Sequence, residues 1–238
     1  MIGKLLPIAG ALAFSAWAFS VSNAAAEKAV QLPAPVLDTP STQASQSSQA
    51  TQETAVFAGG CFWGVQAVFQ HTRGVLNAVS GYAGGDPQRA NYQSVSSGSS
   101  GHAEAVSIRF DPKQISYGRL LQVFFSVAHD PTQLDRQGPD SGPQYRSAIF
   151  YQGPAQRQVA ERYIAQLDAA KVFPVRIVTQ LVALPTFFAA EAYHQDYATR
   201  NPHSPYIARF DAPKIANLQR LFAAQYRDAP VLVAAQRT

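Results

Sequence analysis

The distribution of apolar and polar residues predicts a folded domain of alternating strands and helices that begins near residue 53. The apolar run Thr54–Ala58 predicts a short buried strand. Ala103–Phe110 alternates apolar and polar positions, as a half-buried strand does. Three more segments rich in apolar and β-branched residues predict strands, at Val75–Tyr82, Tyr145–Tyr151 and residues 173–182.

Apolar residues at helical spacing predict the helices that connect these strands. Ser116 is suited to cap one helix, which carries an apolar face over residues 120–127. The other predicted helices cover Val65–Gln70, Pro154–Ala170, Phe187–Thr199 and Pro213–Tyr226. Two polar stretches, Gln88–Gly101 and His129–Gln144, predict long loops, and a long loop in a small domain is often functional.

The order of these elements predicts the fold class. A strand, a helix, two strands, a helix and a strand follow one another, and this is the order of a split β-α-β unit. We therefore expect an α+β domain, a two-layer α/β sandwich with a split β-α-β (ferredoxin-like) plait and added C-terminal helices. Its predicted bounds are residues 53–228, and residues 229–238 are expected to form a flexible tail.

The first 52 residues have a different character. Lys4, the apolar stretch Leu5–Val21 and the small residues Ala24–Ala26 predict a signal peptide over residues 1–26, with cleavage before Glu27. Export to the bacterial periplasm is expected. The alternative is an N-terminal anchor in the inner membrane, since the apolar stretch approaches the roughly 18 residues that span a bilayer. Residues 27–52, rich in Ala, Gln, Ser, Thr and Pro, predict a disordered linker.

Charge and histidine placement exclude some functions. The net charge is only +4, and the basic residues are scattered, so nucleic-acid binding is not expected. His129, His194 and His203 show no ligand spacing with other metal-binding residues, so we expect no metal. We also expect a monomer.

The only cysteine of the chain, Cys61, lies in the sequence Gly59–Gly64, between a predicted strand and a predicted helix. Unpaired backbone N–H groups and the helix dipole favour an anion at a helix N-terminus. A thiolate would be stabilised there, and the thiolate is the nucleophilic form of cysteine. The alternative is a structural cysteine that acts as a small buried apolar residue.

The residues around Cys61 in the sequence suggest what this sulfur attacks. Phe62 and Trp63 would be exposed at the helix start and could form a pocket for a methyl group. Glu104 falls on the apolar face of its strand, where burial would raise its pKa and keep it protonated. An exposed carboxylate at the strand start is the equally weighted alternative. With the phenols of Tyr92 and Tyr145 as further proton donors, this chemistry suits reduction of a sulfoxide.

Five motifs in order resemble the A class of peptide methionine sulfoxide reductases, over about residues 54–222. They are Gly60–Gly64, Gly101–Val106, Arg136–Gly138 with Asp140, Gln144–Ser147, and Ala190–Gln195 with Tyr197. The resemblance implies reduction of methionine-(S)-sulfoxide, free or in proteins, as a repair reaction. It implies no metal or organic cofactor.

The resemblance also implies a role for each matching residue. Cys61 attacks the sulfoxide sulfur and is left as a sulfenic acid. The resemblance implies that Glu104 protonates the sulfoxide oxygen with the help of Tyr92 and Tyr145. Phe62 and Trp63 are implied to hold the S-methyl group of the substrate. Asp140 is implied to shape the hydrogen-bond network, and Tyr197 to line the pocket.

The chain departs from many members of that family near Asp140, where Pro139 and Pro143 replace residues that are more often Asn and Thr, and in its recycling region. Asn201–Ile207, where recycling cysteines are often found, has none. The reductant is therefore expected to be an external thiol, from a thioredoxin-like protein, a glutaredoxin-like protein or a small molecule. Two other functions remain open from the residues alone. One is a Cys–His hydrolase or acyltransferase that pairs Cys61 with His102 or His194. The other is a non-catalytic exported binding module.

Overall fold

A six-stranded sheet forms the centre of the computed structural model, which describes residues 29–38 and 52–233. The strands in these ranges are β1 (Glu53–Gly59), β2 (Val75–Ala83), β3 (Ala103–Phe110), β4 (Arg136–Gln137), β5 (Asp140–Ser141), β6 (Ser147–Tyr151), β7 (Gln180–Ala183) and β8 (Phe187–Ala189). The α-helices are α1 (Phe62–Gln70), α2 (Tyr92–Ser96), α3 (Tyr117–Val123), α4 (Pro154–Ala169), α5 (Tyr197–Arg200) and α6 (Ala212–Leu221).

The strand order of this sheet is β7-β6-β1-β3-β2-β8. β3 lies between β1 and β2 and is antiparallel to both, so β1, α1 and β2 form a split β-α-β unit. β6 adds antiparallel to the other side of β1. The predicted α+β class and split plait are confirmed. Two strands extend the plait: β7 pairs parallel with β6 at one edge, and β8 pairs antiparallel with β2 at the other.

The two faces of β1 pack against different layers. Phe57 points into the main core, where its ring stacks on Phe124 with a centroid distance of 4.8 Å. Val56 and Ala58 point to the opposite face, into a smaller cluster that contains Phe150 and is partly covered by Phe187. Since both faces are covered, the buried part of β1 after Thr54 is apolar on both faces, which is why its apolar run was easy to recognise.

The C-terminal third differs most from the sequence prediction. Of the predicted strand over residues 173–182, only residues 180–182 are in a strand, as part of β7 (Gln180–Ala183). The predicted helix Phe187–Thr199 is wrong in its first part, because Phe187–Ala189 forms β8 on the open edge of β2. A 3₁₀ turn, Ala192–His194, and the short α5 follow, separated by Asp196 in the left-handed conformation with φ 56°. Pairing with the sheet edge therefore outweighs the local helical spacing.

Both predicted loops contain short elements. The first holds α2, which is capped by the Asn91 side chain accepting the Ser94 N–H at 3.0 Å. The second holds the β4–β5 hairpin. The last predicted helix, Pro213–Tyr226, ends earlier, at Leu221, and a π-helical turn over Ile207–Asp211 precedes it.

Residues 29–38 are packed on α3 and α4, although they fall within the predicted disordered linker. Leu32 is only 2% exposed. The Tyr163 hydroxyl donates to the Pro33 carbonyl at 2.8 Å, and the Val30 N–H donates to the Ser126 carbonyl at 3.2 Å. The linker prediction is therefore wrong for this segment, which apolar burial and backbone hydrogen bonds hold in place.

The structure describes only part of the N-terminal and C-terminal segments to which the remaining predictions apply. Residues 1–28 and 39–51, with the predicted signal peptide and most of the linker, lie outside the described residues. Within the predicted flexible tail, the Val231 N–H donates to the Gln70 carbonyl at 3.0 Å, and residues 234–238 lie outside the described part. None of the helices in the described ranges combines the length and apolar character that crossing a membrane requires.

Removing the Asp38 carboxylate is expected to destabilise the domain by about 1–2 kcal/mol. That carboxylate accepts hydrogen bonds from the Ser116 hydroxyl and the Gly118 N–H at the start of α3. Urea denaturation of Asp38→Ala measures the loss. Glu161→Ala is the matched control, since it removes an exposed i,i+4 pair with Arg157 and should cost below about 0.5 kcal/mol. Equal stability of the two variants would show that the N-terminal segment does not stabilise the domain.

Candidate active site

Cys61 lies at the junction of β1 and α1, as the sequence predicts. It occupies the N-cap position of α1, and its free thiol is half-buried. Gly60 precedes it with φ +86°, and a Cβ on Gly60 would lie 2.5 Å from the Cβ of Gln137. Glycine is therefore required there, both by the backbone conformation and by the close packing of the loop that carries the β4–β5 hairpin.

Glu104 is buried beside the start of α1, with 2% of its surface exposed. One carboxyl oxygen accepts the Phe62 N–H at 3.0 Å. Burial raises the pKa of Glu104 to about 8, against the lowering effect of the Phe62 N–H, and the charges of Asp140 and Asp211 raise it further. The expectation of a desolvated carboxyl is confirmed, and the exposed-carboxylate alternative is wrong. Glu104 is protonated at neutral pH and can donate a proton.

The resting thiol of Cys61 is also protonated. Burial raises its pKa well above the ordinary value, and the charges of Glu104, Asp211 and Asp140 act in the same direction. The Trp63 N–H in the first turn of α1 lowers the pKa, as the helix position predicts, but it is outweighed. The expectation of a stabilised thiolate is therefore wrong, because it omitted the burial of the sulfur and the charges of Asp211 and Asp140.

The two aromatic residues after Cys61 have different environments. Phe62 is 1% exposed and packs against Tyr82 and His194, with ring centroids at 5.9 and 5.0 Å. The expectation that the helix start exposes both rings is wrong for Phe62. Trp63 is half-buried, and its indole stacks on Tyr197 with a centroid distance of 3.8 Å and an interplanar angle of 12°. Tyr197 thus supports Trp63 directly.

The pKa values of the Tyr92 and Tyr145 hydroxyls are raised by burial and by charges at the site, as that of the Cys61 thiol is. Burial raises the pKa of Tyr92, and the charges of Glu104 and Cys61 add to this effect. Burial likewise raises the pKa of Tyr145, with contributions from Glu104, Asp140 and Cys61. Both hydroxyls stay protonated at neutral pH and are available as hydrogen-bond donors. Tyr92 is held at the start of α2, where its backbone N–H donates to Glu191 at 2.9 Å.

Tyr206 is one of the pocket residues that the sequence analysis missed, with Phe210 and Lys214. Its hydroxyl donates to the Asp140 carboxylate, and its ring meets the Trp63 indole edge-on at 5.9 Å. The pocket in front of Cys61 is lined by Tyr206 together with Gln137, Gly138, Pro139, Asp140, Phe210 and Lys214. The available signal was a tyrosine inside the cysteine-free stretch Asn201–Ile207, and only the fold shows that this stretch reaches the thiol.

Neither His102 nor His194 is among the groups that shift the pKa of the Cys61 thiol. The Gly85 N–H donates to His102 Nδ1 at 3.1 Å, and Nε2 lies 2.9 Å from the Asp86 carbonyl, so both ring nitrogens bind backbone groups. His194 Nδ1 accepts the Trp63 indole N–H at 3.3 Å. The groups that act on the thiol are carboxyls, which argues against the Cys–His hydrolase alternative.

The described residues contain no group of three or more His, Cys, Asp or Glu side chains that could hold a metal ion. The site instead combines a thiol, a protonated carboxyl, two phenols and an aromatic surface. These groups can attack a soft electrophilic atom and protonate an oxygen bonded to it.

Comparisons with known proteins agree with this chemistry. The sequence profile of the peptide methionine sulfoxide reductase family matches residues 53–226. Peptide methionine sulfoxide reductase MsrA 2 of Mesorhizobium japonicum is 59% identical over 181 residues, which cover 76% of this chain and 93% of the relative. MsrA 2 of Synechocystis is 49% identical over 197 residues, covering 83% of this chain and 89% of the relative.

Solved structures give the same result. Methionine sulfoxide reductase A of Corynebacterium diphtheriae is 36% identical, with a TM-score of 0.57 over 75% of this chain and 91% of the neighbour. Reduced Mxr1 of Saccharomyces cerevisiae is 28% identical, with a TM-score of 0.59 over 68% of this chain and 92% of the neighbour. The chain therefore belongs to the peptide methionine sulfoxide reductase family, in its A class, and is an enzyme that reduces methionine sulfoxide.

Proposed function

We propose that this enzyme reduces the S epimer of methionine sulfoxide, in proteins and as the free amino acid, with Cys61 as the nucleophile. The observation that carries this proposal is the buried carboxyl of Glu104, which is bonded to the Phe62 N–H beside the thiol and has its pKa raised to about 8. A carboxylic acid that keeps its proton at neutral pH can protonate a sulfoxide oxygen while the sulfur is attacked. The choice of epimer is supported by the similarity to A-class relatives.

The reaction balances with the groups at the site. The Cys61 sulfur forms a bond to the sulfoxide sulfur as Glu104 gives its proton to the oxygen, and the thiol proton returns to Glu104. The hydroxyl then passes to the Cys61 sulfur as the sulfur–sulfur bond breaks, and the substrate leaves as a sulfide. The substrate sulfur gains two electrons, and Cys61 loses two and becomes a sulfenic acid.

The neighbouring side chains have supporting roles in this proposal. The phenols of Tyr92 and Tyr145 donate hydrogen bonds to the oxygen as negative charge develops on it. Trp63, held by Tyr197 on one face, contacts the S-methyl group. Phe62 forms the buried base of this aromatic surface. Asp140 and Tyr206, joined by a hydrogen bond, line the pocket in front of Cys61.

An external thiol regenerates the enzyme in this proposal. Cys61 is the only cysteine in the chain, so no internal disulfide can form. A thioredoxin-like protein, a glutaredoxin-like protein or a small thiol attacks the sulfenic sulfur, and water leaves. A second thiol then attacks the mixed disulfide and releases the Cys61 thiol.

A single-turnover experiment tests the proposed function. The full-length protein is mixed with a peptide that contains methionine-(S)-sulfoxide, without reductant. We expect one methionine per chain and one sulfenic acid, trapped at Cys61 and located by mass spectrometry. The R-epimer peptide is the control and should give no methionine. Several turnovers without a thiol, or equal reduction of both epimers, would contradict the proposal.

Tyr206→Phe is expected to lower kcat/KM by about 3- to 10-fold, which corresponds to the loss of one hydrogen bond of ordinary strength, about 0.5–1.5 kcal/mol. The variant leaves Asp140 without its hydroxyl partner but keeps the aromatic ring against Trp63. Steady-state kinetics with excess dithiothreitol measure the change. Tyr151→Phe is the matched control, because Tyr151 lies at the end of β6 and takes no part in the pocket. Equal effects of the two substitutions on kcat/KM would show that the Tyr206 hydroxyl has no role in the reaction.

We also propose that the enzyme acts after export, in the periplasm or anchored to the inner membrane facing it. The support is the pattern of residues 1–26, with Lys4, the apolar stretch Leu5–Val21 and the small residues Ala24–Ala26. N-terminal sequencing of the protein from its own cells distinguishes the two cases. A chain that starts at Glu27 indicates cleavage, and an intact N-terminus in the membrane fraction indicates an anchor.

A further inference from the structure

A buried ion pair lies beside the pocket of Cys61. Asp211 is 0% exposed, and its carboxyl oxygen lies 3.5 Å from the Nζ of Lys214, whose residue is 9% exposed. The pair packs against the first turn of α1, where a Cβ on Gly64 would lie 2.1 Å from Asp211 Oδ1 and 3.2 Å from Lys214 Nζ. Burying two charges costs several kcal/mol per ion before their attraction is counted. Such a pair next to a nucleophile suggests a functional role.

The charges around Cys61 show where a cation is needed. Besides burial, the carboxylates of Asp211 and Asp140 disfavour negative charge at the Cys61 sulfur at neutral pH, where Glu104 is protonated. A reducing thiolate must nevertheless bring a negative charge to that sulfur. Among the described residues that line the pocket, Lys214 is the one with a cationic side chain. Burial raises the pKa of Asp140, and the charge of Lys214 acts against that rise, so the ammonium already favours negative charge within the pocket.

We infer that Lys214 serves the regeneration half of the cycle, where its ammonium group stabilises the reducing thiolate as it approaches the sulfenic acid of Cys61. This inference rests on the proposed function for the presence of that sulfenic acid. The thiolate sulfur bonds to the Cys61 sulfur, the sulfur–oxygen bond breaks, and the oxygen leaves as water after taking a proton from solvent. The ammonium offsets the repulsion by the neighbouring carboxylates while the thiolate is in the pocket.

The test separates the two halves of the cycle in the full-length protein. The rate of the first half is measured as the burst of methionine from the S-sulfoxide peptide without thiol. For the second half, the sulfenic acid is preformed with hydrogen peroxide, and its reaction with dithiothreitol is followed by mass spectrometry. For Lys214→Gln at pH 7 we expect the dithiothreitol rate constant to fall about 10-fold, while the burst rate changes less than about 3-fold. Lys214→Arg should recover most of the lost rate.

Two further variants complete this test of Lys214. Lys113→Gln removes an exposed positive charge outside the pocket and should change neither half-reaction. If Lys214→Gln fails to fold, Lys214→Met is measured instead, since it keeps the aliphatic stem and lets Asp211 take a proton. A wild-type rate with dithiothreitol, an equal fall in both half-reactions, or no recovery with arginine would overturn the inference. Because peroxide forms the sulfenic acid independently of substrate, failure of the burst would count against the proposed function and not against Lys214.

Discussion

Replacing Glu104 by glutamine is expected to lower kcat/KM for methionine-(S)-sulfoxide by about 10²- to 10³-fold, the lower part of the range of about 10²- to 10⁴-fold that general acid–base catalysis contributes. The substitution is nearly isosteric with a protonated carboxyl. Its amide oxygen can still accept the Phe62 N–H, so the site should keep its shape. What is lost is the transferable proton. Kinetics with excess dithiothreitol measure the effect, and a melting temperature close to that of the wild type would show that folding is retained.

The pH dependence gives this prediction a second, independent readout. The raised pKa of Glu104, about 8, means that the carboxyl keeps its proton at neutral pH and loses it as the pH rises through that value. The first-turnover rate of the wild type should therefore fall above about pH 8. Glutamine does not titrate, so the variant should lack this fall. Glu161→Gln, an exposed substitution on α4, should retain both the wild-type rate and the profile. A wild-type rate in Glu104→Gln would show that Glu104 is not the proton donor.

The plait was predictable because its elements carry strong local signals. β1 is apolar on both faces, β3 alternates, and Ser116 caps α3 as expected, accepting the Arg119 N–H at 3.1 Å. Cys61 and Glu104 could be located for the same reason. The first follows β1 at a glycine turn, and the second lies on the buried face of β3.

The parts that were not predicted depend on contacts between distant segments. β8 forms because β2 offers it an open edge, and residues 29–38 are ordered by burial on α3 and α4. The electrostatics of the thiol depend in the same way on Asp140 in β5 and Asp211 in the π-helical turn before α6, both far from Cys61 in sequence. Tyr206 reaches Asp140 across 66 positions, and no local pattern reports such a contact.

Cys61→Ser is expected to abolish sulfoxide reduction, with a loss of more than about 10⁴-fold in kcat/KM. A serine hydroxyl is a weak nucleophile at this site, and its oxygen cannot take up the substrate oxygen as a sulfenic acid does. No other residue can replace it, because the chain has no second cysteine. Serine is close to cysteine in size, and the position is half-buried, so the melting temperature should change little.

Substrate binding separates this result from a general loss of the site. Trp63, Tyr197 and Glu104 are unchanged in Cys61→Ser, so calorimetry should show the S-sulfoxide peptide binding with an affinity within about 3-fold of the wild-type value, a difference below 1 kcal/mol. If the Cys61→Ser protein folds and binds the peptide but releases no methionine, the defect lies in the attack on the sulfoxide sulfur. Residual turnover in that variant would require a second reducing group, which the single-cysteine sequence does not contain, and would contradict the mechanism.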